Sequence, residues 1–328
     1  MKILITGGAG FIGSHLTDRL IKENHKVVVL DNLSTGKKEN LTPHFFKKWG
    51  VNPRAKFYKI DVCSPKIFEI LKKEKPEVIF HYAAQIDVRK SVEDPVQDAK
   101  TNILGSLNII QNFISVNQHN NQRKSVFLKK FIFASTGGAI YGEAEIIPTP
   151  ENYLAVPLSP YGIAKLTIEK YLNYYHKVFG LSYVSLRLAN VYGPRQNSKG
   201  EAGVVAIFCD KLLNNKKPII NGDGTQTRDF VFVDDVVEAN LLALEKDKVG
   251  LFNVGTGKET SVNEIFQKLK ELMKIEIEPE YKEAKKGDLK RSCLDYSKIK
   301  KELGWQSRYS LDEGFKKTIL YFSKKIKN

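Results

Sequence analysis

The chain has 328 residues, 42% of them apolar and 27% charged, the composition of an ordinary water-soluble globular protein with room for one large or two fused domains. It begins on a strand-like run and holds no apolar stretch long enough to cross a bilayer. No signal peptide, no membrane partner and a cytoplasmic location are therefore expected. The three cysteines, Cys63, Cys209 and Cys293, are too scattered for a disulfide framework or a zinc site, so no metal is expected. The lysines behind the net charge of +15 are interspersed with Glu and Asp, which argues against a concentrated nucleic-acid-binding face.

In chain order, residues 2–6 read as a strand and TGGAGFIGSHL, Thr6 to Leu16, as a tight turn opening a helix over 13–23. Gly7 permits the turn, Gly10 lets backbone approach a pyrophosphate, and Gly13 lets helix and strand pack closely. The helix N-terminus offers free N–H groups to a phosphate. A second apolar run, 26–30, ends at Asp31, about where a carboxylate that binds an adenosine ribose is expected. Further strands are predicted at 56–60, 77–81, 131–135 and 183–187, and helices at 64–73, 95–118 and 161–179. A short helix is expected around Phe45, Phe46 and Trp49, and a polar surface loop at 119–125. This alternation predicts an α/β fold of Rossmann type, a doubly wound parallel sheet, over residues 1–188. After Asn190 the chain turns to Gly- and Pro-containing loops, with helices at 233–245 and 261–274. A smaller α/β substrate-binding domain is expected over 189–328, with a segment near 225–257 returning to the first.

Tyr161 and Lys165 stand four apart at the start of a helix announced by Ser159-Pro160, on one helical face. A unit charge about 5.5 Å away at an effective dielectric near 20 is worth roughly 3 kcal/mol. That would bring a tyrosine from about 10 to about 8, towards a useful general base. Ser135-Thr136 ends the 131–135 strand on the side where open parallel sheets bind ligands, so the Thr136 hydroxyl is a candidate to bond the same substrate oxygen.

Taken together and in order, TGGAGFIG, DNLSTG, Asp61-Val62, HYAAQ, VRKSVEDP, ASTGGAIYG, YGIAK, LANVYGPRQ, GDGTQTRDFVFVDDV, FNVGTGKE and LDYSKIKKELGW resemble the extended short-chain dehydrogenase/reductase family. Within it they resemble most the NAD-dependent epimerases and dehydratases of the UDP-glucose 4-epimerase type. The resemblance implies Tyr161 as base, Lys165 as its activator and a cofactor ligand, and Thr136 as hydroxyl partner. It implies NAD bound by Gly7, Gly10, Phe11, Ile12 and Gly13, by Asp31 and Asn32 at the ribose, and by Asp61 and Val62 beside the adenine. Ala83, Ala84 and Asn102 complete that set. For a UDP-sugar it implies Asn190, Arg228, Asp288 and Ser292, with Lys285 where such enzymes often have Arg. A lysine lacks the bidentate fork of arginine, so Arg291 is the alternative diphosphate ligand.

Related dehydratases carry Asp-Glu after the Thr, and related decarboxylases a Glu; here Gly137 and Gly138 follow. The resemblance thus implies interconversion of UDP-glucose and UDP-galactose, with activity on the N-acetylated pair if Ser292 leaves space. The alternative is a UDP-glucuronate 4-epimerase or another nucleotide-sugar enzyme of this fold. A homodimer is also expected. The helices at 95–118 and 161–179 carry apolar residues on more than one face: Ile103, Leu104, Leu107, Ile109 and Ile110 in the first, Leu166, Ile168, Tyr171, Leu172 and Tyr175 in the second.

Overall fold

The structure is a computed structural model describing residues 1–41, 54–118, 130–199, 203–284 and 289–326. The expected helix around Phe45 and the polar loop at 119–125 lie outside them. The described chain forms two compact units: residues 1–135, 159–186 and 240–251 make the first, and 136–158, 187–239 and 252–328 the second.

The first unit is built on β1 (Lys2–Thr6), α1 (Phe11–Lys22), β2 (Lys26–Asp31), β3 (Ala55–Lys59), α2 (Ile67–Glu74) and β4 (Val78–His81). There follow α3 (Val88–Glu93), α4 (Pro95–Ala99), α5 (Gly105–Gln118), β5 (Lys130–Thr136), α7 (Pro160–Phe179) and β6 (Tyr183–Leu188), while the short α6 (Gly137–Ile140), between β5 and α7 in sequence, belongs to the second unit. With β11 (Gly250–Val254) the strands form a seven-stranded sheet in the order β11-β6-β5-β4-β1-β2-β3. The β1–β2, β1–β4, β2–β3 and β4–β5 pairs are parallel, as the alternation of strand and helix predicts. Leu4, Val28, Ile79, Phe113, Phe131 and Ile168 share one buried core, so sheet and helices are fixed to each other by apolar packing.

One expected helix is in fact three pieces. Residues 95–118 run as α4, a π-turn at Lys100–Leu104 and then α5. The reason is local. Asp94 caps α4, accepting a bond from Gln97 N–H, with Pro95 at the first turn, and the wider π-turn admits Asn102, which is 2% exposed and bonded to groups outside the helix. By contrast α7 starts and stops where its residues say. Ser159 accepts a bond from Gly162 N–H, Pro160 occupies the first turn, and Gly180 closes the helix at φ 70°.

The second unit carries β7 (Asn190–Tyr192), α8 (Val204–Leu213), β8 (Ile219–Asn221), β9 (Thr227–Arg228) and β10 (Phe230–Phe232). It continues with β12 (Thr260–Ser261), α10 (Val262–Met273), β13 (Glu280–Lys282), β14 (Arg291–Ser292), α11 (Ser297–Leu303) and α12 (Leu311–Ile326), while α9 (Val233–Glu245) contributes to both units. Its strands are short and pair in small sheets: β7 with β10, β8 with β13, and β9 between β12 and β14. The 261–274 helix is α10, whose Ser261 and Glu264 form a reciprocal capping box.

Candidate active site

The glycine turn is shaped by exclusion. Gly7 sits at φ +68°, and a Cβ there would lie 2.7 Å from Ala83 N and from the Tyr82 carbonyl carbon. A Cβ on Gly13 would lie 2.3 Å from the Gly7 carbonyl oxygen. Only glycine satisfies both. No side chain caps α1 at Gly10, so the first-turn N–H groups of Phe11, Ile12 and Gly13 lack an intrahelical acceptor. That is a cradle for a phosphate.

Asp31, at the end of β2, is 7% exposed. Its Oδ2 accepts from Ala9 N–H at 2.9 Å and its Oδ1 from Leu33 N–H at 2.8 Å, which ties β2 to the glycine turn. Burial pushes its carboxyl up from the ordinary aspartate value, with the Leu33 and Ala9 N–H groups opposing. Gly36 is the glycine that sequence reasoning passed over: a Cβ there would come within 2.9 Å of both Asp31 carboxylate oxygens. Asn32 and Asp61 meet directly, Asn32 Nδ2 donating to Asp61 Oδ2 at 2.7 Å, and Val62 beside them is buried. The expected cofactor residues Gly7, Gly10, Gly13, Asp31, Asn32, Asp61 and Val62 thus gather at the C-terminal ends of β1, β2 and β3, where doubly wound sheets bind nucleotides.

Thr6 Oγ1 accepts from the N–H groups of Tyr82 and Ala83, fixing the loop that follows β4 against the turn, with Ala84 next in line. Asn102 anchors that loop from the other side. Its Oδ1 accepts from Gln85 N–H, and its Nδ2 donates to Gln85 O at 2.9 Å and to Asp98 Oδ1 at 2.8 Å. Both side-chain donors of Asn102 are spent on this loop and on Asp98. Ser106 Oγ donates to Asn102 O, so His81 Nε2–H donates to Ser106 Oγ and Thr6 donates to His81 Nδ1. Burial and the nearby Lys165 charge push His81 down to about 3, keeping the ring neutral. Asp98, Asn102 and Ser106 recur every fourth residue on one face. That repeat of polar residues four apart was the available signal for this network.

Tyr161 and Lys165 stand on the first two turns of α7, as predicted. Lys165 is 4% exposed, donates to Ala134 O at 2.8 Å, and lies 4.8 Å from the Phe133 ring centroid and 5.7 Å from that of Tyr161. The expected depression of the Tyr161 phenol is not what these surroundings produce. Burial, then the Asp98 charge, push it above the ordinary tyrosine value. The spacing argument counted the ammonium and left out the desolvation of the phenol. Burial also pushes Lys165 down, to about 8, against the opposing pull of Asp98 and Glu169.

In the second unit Thr136 closes β5 and precedes α6, with its hydroxyl unused as a cap. A Cβ on Gly137 would strike Leu294 Cδ1 at 2.4 Å, whereas one on Gly138 would rest 3.4 Å from Asn190 Oδ1. A side chain at the first of the two positions where dehydratase-like sequences carry acids would therefore require Leu294 to move. Asn190 heads β7 and is exposed, its N–H bonded to Asp229 O. Ser292 pairs with Arg228 across β14 and β9, so these two side chains emerge on one face. Arg291 pairs with Thr227 on the other face, and both bond Glu259: Arg291 Nε at 2.9 Å, Arg291 Nη2 at 2.5 Å and Thr227 Oγ1 at 2.5 Å. Sequence reasoning missed Glu259, which already supplies Arg291 with a carboxylate. Lys285 and Asp288 lie outside the described residues.

Glycine turn, ribose carboxylate and the Tyr161–Lys165 pair on a doubly wound sheet define an NAD-dependent enzyme of the extended short-chain dehydrogenase/reductase class. Residues 4–318 match the family of GDP-mannose 4,6 dehydratase, and the chain belongs to that family of NAD-dependent epimerases and dehydratases. It is 42% identical to a UDP-glucose 4-epimerase of Mycolicibacterium smegmatis, over 99% of each chain. Among solved structures it resembles the UDP-glucose 4-epimerase of Thermotoga maritima with UDP-glucose, at TM-score 0.91 and 49% identity, covering 99% of this chain and 100% of the other. It also resembles the Thermus thermophilus UDP-glucose 4-epimerase complex with NAD, at TM-score 0.87 and 38% identity, covering 98% and 99%.

Proposed function

We infer that the protein is an NAD-dependent nucleotide-sugar 4-epimerase that interconverts UDP-glucose and UDP-galactose. The observation that carries this reading is the Tyr161–Lys165 pair in the same unit as the glycine cradle, preceded in ASTGG by Gly137 and Gly138 where related dehydratases carry acids. NAD, when bound, supplies reversible hydride acceptance at the sugar C4. Gly7, Gly10, Gly13, Phe11, Ile12 and Asp31 would hold it, with Asn32, Asp61 and Val62 at the adenosine end, Ala83 and Ala84 approaching through backbone, and Lys165 at the nicotinamide ribose. Tyr161 Oη takes the proton of the C4 hydroxyl, and Thr136 Oγ1 bonds the same oxygen. With glycine at 137 and 138, where related dehydratases and decarboxylases carry acids, the 4-keto sugar is reduced again, and reduction after it has turned over in the site gives the 4-epimer. Asn190, Arg228 and Ser292 hold the nucleotide sugar. Incubation of purified protein with UDP-galactose, followed by NMR, should show UDP-glucose with no net change in cofactor redox state. Dehydrated or decarboxylated products would overturn the reading.

The cofactor is NAD and not NADP, because the Asp31 carboxylate repels a 2′-phosphate. Denatured protein should release NAD; mainly NADP in the extract would contradict this.

The working form is a homodimer. Ile163, Tyr171, Tyr174 and Val178 form an exposed apolar stripe along α7, with Leu104 at 60% and Val96 at 77% exposure in the segment beside it. Of the residues expected to make the surplus face, Ile109, Ile110, Ile168, Leu172 and Tyr175 are buried within the unit. Leu104 and Tyr171 remain exposed. A monomeric mass by light scattering at micromolar protein would refute the dimer.

A further inference from the structure

Lys165 is a cation almost wholly removed from water, and its placement poses an electrostatic problem that Tyr161 does not solve. Its recorded hydrogen bond goes to a neutral carbonyl, Ala134 O, above the face of Phe133. A buried ammonium surrounded by neutral groups loses its proton. Asp98 and Glu169 are among the buried carboxylates of the same unit. Asp98 on α4 is 2% exposed: its Oδ1 accepts from Asn102 Nδ2 and Gln85 Nε2, and its Oδ2 is buried with no hydrogen-bond partner. Glu169, one turn beyond Lys165 on α7, is 3% exposed and accepts from Ser135 Oγ at 2.7 Å and Ser185 Oγ at 3.3 Å.

We propose that Asp98 and Glu169 are positioning residues that hold Lys165 in its ammonium form, Asp98 through the negative charge that Asn102 and Gln85 fasten in place. The fastening is one-sided. Asn102 and Gln85 satisfy Oδ1 alone; burial pushes the Asp98 carboxyl up from the ordinary aspartate value, the Gln85 and Asn102 bonds and the Lys165 charge oppose it, and α4 packs against α7, the helix that carries Lys165. The other groups near Lys165 are accounted for. On α7 these are Tyr161 and Glu169; from β4 comes His81, held neutral; from β6 comes Tyr183, a phenol. Arg89, Lys90 and Glu93 of α3 and Lys100 of the π-turn are exposed, where water screens them. The same Asp98 charge that favours the ammonium opposes the Tyr161 phenolate, so the three groups titrate as a coupled set.

This rests on Tyr161 and Lys165 being the catalytic pair. Its test therefore includes a readout that does not need turnover. In Asp98→Asn holoenzyme the amide Oδ1 can still accept from Asn102 and Gln85; the charge is lost, and an Nδ2 with two donors takes the buried place of the partnerless Oδ2. The alkaline limb of the activity profile, set by the Lys165 ammonium, should move to lower pH by about one unit. The tyrosinate absorbance that disappears in Tyr161→Phe should titrate at correspondingly lower pH. Asp98→Glu, which restores the charge, should return both the limb and the tyrosinate midpoint towards wild type. Glu169→Gln should move the alkaline limb in the same direction and carries the test if Asp98→Asn does not fold. Activity reduced equally at every pH, with the tyrosinate midpoint unmoved, would show Asp98 to be a structural tether and overturn the proposal. Full activity of Tyr161→Phe would instead remove the reading on which it stands.

Discussion

The two units solve recognition differently. In the first, the candidate cofactor site is made mainly by backbone, and sequence spacing records it. Gly7 must adopt a positive φ against the Ala83 amide, Gly13 must clear the Gly7 carbonyl, and Asp31 must receive the Ala9 N–H. Each requirement fixes a residue type at a fixed distance along the chain. In the second, the candidate substrate residues are side chains on strands of two or three residues, where no periodicity develops. Arg228 and Ser292 are 64 residues apart in sequence and become neighbours only through the β9–β14 pairing. A backbone site can be read from spacing; a side-chain site on short strands is read by resemblance.

Substitutions sharpen this contrast. The largest effect belongs to Tyr161→Phe, which removes the proton acceptor alone. Turnover should fall by about 10²- to 10⁴-fold with fold and bound NAD retained. Stopped assays of UDP-galactose conversion, with cofactor content measured on the same sample, check it. Lys165→Met should act on both counts. Losing a charged hydrogen-bonding group costs about 1.5–3 kcal/mol, so cofactor retention should weaken by about 10- to 100-fold in addition to the loss of turnover.

Next come the glycines, which separate the units directly. Gly13→Ala would place a Cβ at 2.3 Å from the Gly7 oxygen, whereas Gly138→Ala would place one at 3.4 Å from the flexible Asn190 amide. The first should cost about 1–3 kcal/mol of stability and release NAD. The second should stay within about 0.5 kcal/mol of wild type. Urea denaturation of both variants measures the difference, and equal costs would break the comparison.

Much of the fold was legible because it is built from long periodic segments. The β1-turn-α1 unit and α7 carry their own punctuation in Gly7, Ser159, Pro160 and Gly180, and the structure places their boundaries within a residue or two of the expected ones. The break at Lys100–Leu104 was hidden, because a π-turn changes neither composition nor apolar spacing; its signs are the polar face of Asp98, Asn102 and Ser106. The upward push on Tyr161 was hidden too, since i, i+4 spacing reports a neighbour and says nothing of burial. In the second unit Glu259 escaped notice. Its partners Arg291 and Thr227 lie 32 residues away in either direction, and only the three-stranded β12-β9-β14 sheet brings them together.

The smallest expected effect tests whether the second unit discriminates among sugars by a single side chain. Ser292 is half-buried on β14 and shares its face with Arg228. Resembling epimerases restricted to UDP-glucose and UDP-galactose have a bulky tyrosine at the matching place, against the sugar C2. A serine there leaves space for a 2-acetamido group, whereas an aromatic ring excludes it. Wild type should therefore convert UDP-GlcNAc and UDP-GalNAc as well as the parent pair. Ser292→Tyr should suppress the N-acetylated sugars by about 10- to 100-fold, the scale on which one steric contact discriminates, while UDP-galactose turnover changes by less than about threefold. Arg291 controls for position: its side chain lies on the opposite face with Glu259, so Arg291→Gln should alter neither ratio. Equal loss on both sugar pairs in Ser292→Tyr would show that residue 292 supports the strand and does not gate the sugar.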